Sequence, residues 1–436
     1  MPVVEILSQG DEVVTGQVAD TNAAWLATRL TELGFLVVRH TSVGDRMGDL
    51  VALFSEVASR CDVALCTGGL GPTEDDLTAE AIAQAFSMPL ELDEAALVDL
   101  KGKYARFGRP MPAINEKQCW LPRGSLRIDN DWGTAPAFAV SAGRAWMAFM
   151  PGVPREMRSI FDERIVPELA RRFSLAPDRL ITFRTTGVGE SNLQEAMGPD
   201  WMAGEPGLVV SFRTKLPENH IKLRLAATVS AEREGELVRD LAGRIGRSLF
   251  AIEGLTAPIE LPGVDPEGGD LVAVLARRLA RRGETLACAE SCTGGRVASL
   301  CTGIPGSSAW FLEGAVTYSN ATKVRMLGVS EATLAEHGAV SEPVARQMAE
   351  GIRARSGATW GVATTGIAGP DGGSEAKPVG TVHIALAGPN GTEHRLVRFG
   401  GDRQRIQALA AASALDLLRR HTLPAGATNT RTTSPT

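Results

Sequence analysis

Aromatic residues make up only 5% of this 436-residue chain, and tyrosine occurs just twice. With no basic stripe interleaved with aromatics, the chain lacks the stacking platform on which single-stranded nucleic acids are held. It also lacks an excess of positive charge. Lys and Arg number 45 against 51 Asp and Glu, a net charge of −6. That balance disfavours a general binder of nucleic acid or of anionic membranes. The six histidines are scattered with no H-x-x-x-H spacing, which argues against a zinc site. The six cysteines, Cys61, Cys66, Cys119, Cys288, Cys292 and Cys301, form no C-x-x-C pair and read as buried thiols of a reducing compartment. No apolar run reaches membrane-span length, and the opening MPVVEILSQGDEVV has no basic n-region, so a cytoplasmic protein is expected. Lysine is scarce after residue 270, where only Lys323 and Lys377 occur.

What remains is an ordinary globular composition, 44% hydrophobic and 22% charged, in a chain too long for one core. Two or three domains are expected. Over 1–173, apolar strands at 3–7, 35–38, 63–66 and 146–150 alternate with helical patterns. Asp20 and Thr21 cap the first helix and Gly34 stops it; a second spans 50–58, and a long amphipathic one runs to 173. The βαβαβ order predicts a parallel sheet with helices on both faces and a ligand site at the strands' carboxyl ends. Residues 174–255 read as a smaller α+β unit, with strands at 180–187 and 220–227 and a helix over 232–245. The Pro- and Gly-rich stretch 256–269 reads as a linker. A third, α/β unit spans 270–421. Its first helix, capped by Asp270, carries Arg277, Arg278, Arg281 and Arg282, which suit the negative end of the helix dipole. Strands follow near 358–363 and 381–386, then a helix over 403–420. The Thr-, Ala- and Pro-rich tail 422–436 is expected to be disordered.

In the first unit the segment TGGLGPTEDDLT at 67–78 joins a strand to a helix. Gly68, Gly69 and Gly71 let a ligand approach the backbone. Free N–H groups there favour an anion, whereas Glu74, Asp75 and Asp76 repel a bare phosphate. A divalent metal between carboxylate and phosphate resolves the conflict. Capping of the helix is the plainer reading, and it explains one acid more easily than three. Asp11 in Gly-Asp-Glu at 10–12, Asp45 in Gly-Asp-Arg at 44–46, and Thr134 in Gly-Thr-Ala-Pro at 133–136 lie on loops that converge on the same edge. Together they predict a site for a nucleotide-sized anion, with Asp45, Glu74, Asp75 and Asp76 as metal ligands.

In the third unit AESCTGG at 289–295 follows an apolar run and precedes a helical pattern. A strand, a tight turn and a helix start expose a hydroxyl and several N–H groups at the positive end of a helix. Such a place holds a nucleophile, an oxyanion or a phosphate, or is simply a capped helix.

The TGGLGPTEDDLT segment resembles the molybdopterin-binding fold, although cofactor-synthesis enzymes carry threonine where this chain has Leu70. The chain more closely resembles the CinA family (competence/damage-inducible protein A). That resemblance rests on the segments at 10–12, 20–22 and 67–78, on GTAPAF at 133–138 and on PGVPREM at 151–157. It continues through AESCTGG, Thr-Tyr-Ser-Asn at 317–320 and TTGIAGP at 364–370. It implies a molybdopterin-binding-like N-terminal domain acting as an ADP-ribose pyrophosphatase with Mg, Mn or Co. It also implies a KH-type middle domain, a C-terminal amidohydrolase that converts nicotinamide mononucleotide (NMN) to nicotinic acid mononucleotide without a metal, and a homodimer. Rival readings are an N-terminal domain that binds a nucleotide or pterin without turnover, and a scaffold in competence or DNA repair.

Amide hydrolysis asks for definite groups. Ser291 is the chosen nucleophile and Cys292 its rival. With no nearby histidine and no G-x-S-x-G, Lys323 is the candidate base, working if burial lowers its pKa; a solvated loop lysine is the alternative. Tyr318 relays a proton, orients Lys323 or is merely a half-buried aromatic. The N–H groups of Cys292, Thr293, Gly294 and Gly295 offer an oxyanion hole, and Glu290 orients either the substrate amide or the serine turn. Thr364, Thr365 and Gly366 form a second loop for phosphate or ribose, and Arg403 and Arg405 are candidates to grip phosphate.

Overall fold

Alternation in VVEILSQ sends Val4 and Ile6 to one side of a sheet and Leu7 to the other, where separate cores form. A computed structural model, which describes residues 1–423, builds this into the first of two units, Met1–Asp178. Its strands are β1 (Val3–Gln9), β2 (Leu36–Val43), β3 (Val63–Thr67), β4 (Leu90–Leu92), β5 (Trp120–Pro122), β6 (Leu126–Ile128), β7 (Ala137–Ala142) and β8 (Ala145–Met150). The main sheet has the order β2-β1-β3-β8-β7-β6. The expected parallel part is β2, β1, β3 and β8; β7 and β6 extend it antiparallel. The expected long helix to 173 is interrupted. A π turn at Phe161–Ile165 separates Pro154–Ile160 from Val166–Arg172, next to Pro167, which has no N–H to give.

The second unit, from Arg179, holds two sheets. β9 (Arg179–Thr186), β10 (Leu208–Lys215), β11 (Glu218–Leu225) and β12 (Leu249–Glu253) make an antiparallel sheet of order β10-β11-β9-β12. β13 (Leu286–Glu290), β14 (Phe311–Val316), β15 (Trp360–Gly366), β16 (Thr381–Gly388) and β17 (Gly391–Arg398) make the other, of order β14-β13-β15-β16-β17. β13 pairs parallel with both β14 and β15, and β16 and β17 add antiparallel. Each face of this sheet is buried: Leu286 and Cys288 join one core, Ala287 and Ala289 the other. Phe250 and Ala251 of β12 share the first of these cores, so the two sheets pack together.

The Pro- and Gly-rich stretch 256–269 is tied down along its length. Thr256 donates to Glu234, Gly269 N–H to Glu253, and Asp265 is buried against Arg277 at 2.8 Å. Arg281 pairs with Glu267, and Arg278 donates to the Gly263 carbonyl. The arginine run therefore fastens this stretch as well as suiting the helix dipole. Asp270 caps its helix as expected, accepting from Ala273 N–H. Thr422, placed in the tail by sequence, instead closes the last helix and is buried. The disorder expected beyond it falls on 424–436, outside the described residues. Among the described residues no helix is long and apolar enough to cross a membrane.

One close contact positions the site described next. Gly351, in helix Glu342–Ser356, passes against the end of helix Asn320–Leu327, and a Cβ there would lie 2.0 Å from the Leu327 carbonyl oxygen. Gly351→Ala should therefore destabilise the protein by about 1–3 kcal/mol, seen as a lower urea midpoint with an unchanged slope. An unchanged midpoint would refute the contact.

Candidate active sites

In the second unit, β13, β14 and β15 end at one edge, and parallel register sets Glu290 beside Val316 and Thr364. Ser291 therefore emerges between Thr317 and Thr364. Its N–H donates to the Thr364 carbonyl at 3.0 Å, and Thr317 N–H donates to the Glu290 carbonyl at 2.8 Å. Glu290, buried, folds its carboxylate onto the start of helix Arg296–Thr302. It accepts from Gly295 N–H at 3.0 Å, Val297 N–H at 3.1 Å and Ala298 N–H at 2.8 Å. Of the two roles expected for Glu290, these bonds supply the orienting of the serine turn. Thr293 and Thr364 meet through their buried hydroxyls at 2.6 Å. Thr365 falls on the opposite sheet face, its hydroxyl occupied by the Ala339 carbonyl, and Gly366 packs against Thr381 and Val382.

Lys323 is buried, not solvated. Ser319 caps the helix Asn320–Leu327, and Lys323 lies one turn in. Its Nζ donates to the Thr317 carbonyl at 2.8 Å, to Ser291 Oγ at 3.2 Å and to the Tyr318 carbonyl at 3.4 Å. All three acceptors are neutral. Burial holds the ammonium below the usual lysine range, with the Cys292 thiol opposing. The rival nucleophile Cys292 is itself buried, and desolvation pushes its thiol up to about 12. At neutral pH it is not a thiolate.

The N–H of Gly295 serves Glu290 and that of Gly294 serves the Ser291 carbonyl, at 3.2 Å. Neither is left for an oxyanion as the sequence suggested. Among the described residues, the N–H groups of the turn without an oxygen acceptor are those of Cys292 and Thr293, which lie toward the Cys292 sulfur. Tyr318 is exposed; its phenol accepts from Arg403 at 2.8 Å, and its carbonyl, not its hydroxyl, reaches Lys323. Arg403 also donates to the Gly369 carbonyl at 2.7 Å, so it braces two loops. The exposed Arg405 guanidinium makes no hydrogen bond or ion pair among the described residues. Sequence reasoning missed Gln407, whose Nε2 donates to the Cys292 carbonyl at 2.9 Å from 115 residues away.

In the first unit the predicted loops do converge. A cleft of about 410 Å³ is lined by Gly68, Gly69, Gly71, Asp45, Asp75, Asp76 and Thr134. Glu12 and Glu156, not chosen from sequence, line it too, whereas Glu74 and Asp11 do not. Asp11 acts indirectly: it and Asp45 exchange backbone N–H bonds at 3.0 and 3.2 Å. Asp45 also accepts from Gln9 Nε2 at 2.9 Å. Asp76 does not cap the helix Thr78–Ala85; it closes its own loop by accepting from Thr73 N–H at 2.9 Å. Gly68, at φ +104°, must be glycine, since a Cβ would lie 2.3 Å from the Gln9 carbonyl oxygen.

Among the described residues no three His, Cys, Asp or Glu side chains form a ready cage for a metal. The donors in the cleft are hard carboxylate oxygens with lone pairs to spare. Such a set fits a small divalent cation held by one or two carboxylates together with a ligand's phosphates.

Residues 5–171 match the family described as "Probable molybdopterin binding domain", and residues 269–422 match "CinA C-terminal domain". A CinA-like protein of Anaeromyxobacter dehalogenans is 46% identical over 419 residues, spanning 95% of this chain and 98% of that one. A CinA-like protein of another Anaeromyxobacter species is 47% identical over 423 residues, spanning 96% and 99%. Among solved structures, the competence/damage inducible protein CihA from Agrobacterium tumefaciens is 43% identical. It covers 37% of this chain and 97% of that chain, with a TM-score of 0.33.

The buried lysine leaves a mark on stability. Below its native pKa, folded and unfolded chains both hold the Lys323 proton. Between that lowered value and the ordinary one the unfolded chain holds more protons, so stability rises with pH across this window. Six buried thiols, held above their ordinary range, pull stability the other way at alkaline pH, so the test is a difference: from pH 7 to 10, urea unfolding should give the native protein a more positive slope of stability with pH than Lys323→Met. Equal slopes would contradict the burial.

Proposed function

The chain belongs to the CinA-like proteins, and on that premise we propose that its second unit hydrolyses the carboxamide of NMN to nicotinic acid mononucleotide and ammonia. The observation that carries this reading is the buried Lys323 amine 3.2 Å from the Ser291 hydroxyl. Neutral Lys323 takes the hydroxyl proton as Oγ bonds to the carboxamide carbon. The carbonyl oxygen, now negative, faces the N–H groups of Cys292 and Thr293. Collapse of this intermediate expels ammonia, which leaves with the proton Lys323 had taken, and an ester remains on Ser291. Water, deprotonated by Lys323, then cleaves the ester and restores the serine. The Arg405 guanidinium is suited to the 5′-phosphate. The reaction so written uses no metal.

For the first unit we propose pyrophosphate cleavage of ADP-ribose, assisted by Mg, Mn or Co. Asp45 and Asp76 would hold the cation, which when bound offsets the charge of the phosphates. Gly68, Gly69 and Gly71 leave room for those phosphates against the backbone. Both substrates are breakdown products of a pyridine dinucleotide, so the two reactions serve one salvage route.

Ser291→Ala and Lys323→Ala should each lower ammonia release from NMN by about a hundredfold or more. The native rate should climb with pH and level off below the ordinary lysine pKa. Near-native release from Lys323→Ala would sink the serine–lysine reading. Chelation with EDTA should abolish ADP-ribose cleavage and spare ammonia release. Binding of ADP-ribose with no cleavage in any divalent cation would instead favour a first unit that only binds.

A further inference from the structure

Trp120, on β5, is 41% exposed, the most exposed of the seven tryptophans. A single exposed apolar side chain needs no explanation. Trp120, however, forms a wall of a second cavity, of about 330 Å³, whose lining continues through Leu90, Leu121 and Phe138. This cavity adjoins the carboxylate-lined cleft, because Gly69, Gly71, Asp76 and Gln118 line both. Gln118 is buried and fixed at their boundary. Its Nε2 donates to the Leu70 carbonyl at 3.3 Å, and its Oε1 accepts from Asn115 at 3.1 Å. Lys117 lines the cavity as well, tethered to the Thr73 carbonyl at 2.8 Å and paired at 3.7 Å with Glu80, another of its lining residues.

Two chambers of different make-up thus share one wall. One is polar, built of glycine backbone and carboxylates. The other sets the apolar and aromatic walls of Leu90, Trp120, Leu121 and Phe138 against the polar groups of Asp76, Glu80, Lys117 and Gln118. Their joint occupant needs an anionic part that a cation can bridge and, a short distance away, a flat ring. We propose that the Trp120 cavity receives the heteroaromatic base of a nucleotide diphosphate, stacked on the indole, while the diphosphate lies in the neighbouring cleft. This rests on the reading of that cleft as a phosphate site, and it makes Trp120 a specificity residue that separates nucleotides from bare phosphates. Stacking suits the indole face, and a polar ring edge finds Gln118 and Lys117.

The test uses the full chain with Mg²⁺ and two probes, ADP and inorganic pyrophosphate, followed by calorimetry. Trp120→Ala should weaken ADP about tenfold or more, the usual effect of losing one stacked base, and leave pyrophosphate unchanged. Trp120→Phe keeps an aromatic face and guards against misfolding of the smaller variant. It should retain ADP affinity but lose the ADP-dependent quenching of tryptophan emission that the stacked base should produce in the native protein. If ADP binds and Trp120→Ala leaves its affinity intact, or weakens both probes equally, the base subsite is wrong while the phosphate cleft stands. Persistent quenching in Trp120→Phe is equally contrary. If neither probe binds the native chain, the phosphate cleft and the base subsite fall together.

Discussion

The buried carboxylate of Glu290 is the constraint on which the catalytic end of the second unit depends. A helix start leaves N–H groups without partners, and three of them here find one carboxylate at the end of the preceding strand. That single group fixes the angle between β13 and the helix Arg296–Thr302, and with it the exposure of Ser291. It also occupies the Gly295 N–H, so that the oxyanion of the proposed reaction would fall to Cys292 and Thr293. Thr364 secures the turn from one side through Ser291 N–H and the Thr293 hydroxyl, and Gln407 holds it from the last helix. A serine held this firmly can be addressed by one buried amine, because neither partner needs to be ordered when substrate arrives.

The two units place their chemistry at the same kind of edge and treat charge in opposite ways. The second unit buries one amine among neutral carbonyls, which favours its unprotonated form. The first gathers carboxylates on an open cleft, the donor set proposed to hold a cation. In the proposed reactions one arrangement serves as a base and the other as a place for bridged phosphates. Each follows from what a sheet's carboxyl edge offers: short loops, free N–H groups and room for a ligand.

Much of this was legible in the sequence where turn chemistry punctuates apolar strands. The glycine-rich segment at 67–78, the serine turn at 289–295, and the Asp20 and Asp270 caps all fall where their residue types required. Pairings set by register were not legible. Lys323 meets Ser291 only because β13 and β14 align Glu290 with Val316. Gln407 reaches the same turn from 115 residues away, with no local signal. β14 and β17 escaped because their residues are mostly partly exposed and carry no apolar run. Arg403 looked like a phosphate grip by composition, yet a guanidinium equally well braces two loops. Proline and glycine in 256–269 signalled irregular backbone, but not the ion pairs of Arg277 and Arg281 or the hydrogen bonds to Glu234 and Glu253 that pack it down.

The central claim is that Ser291, served by Lys323, is the group acylated by substrate. Acid-quenching the full chain during turnover of NMN and mapping its peptides by mass spectrometry addresses this most directly. The account predicts an adduct of NMN less ammonia on the peptide at Ser291, and on that residue alone. An adduct on Cys292, or steady turnover with no acylated peptide at any quench time, would contradict it.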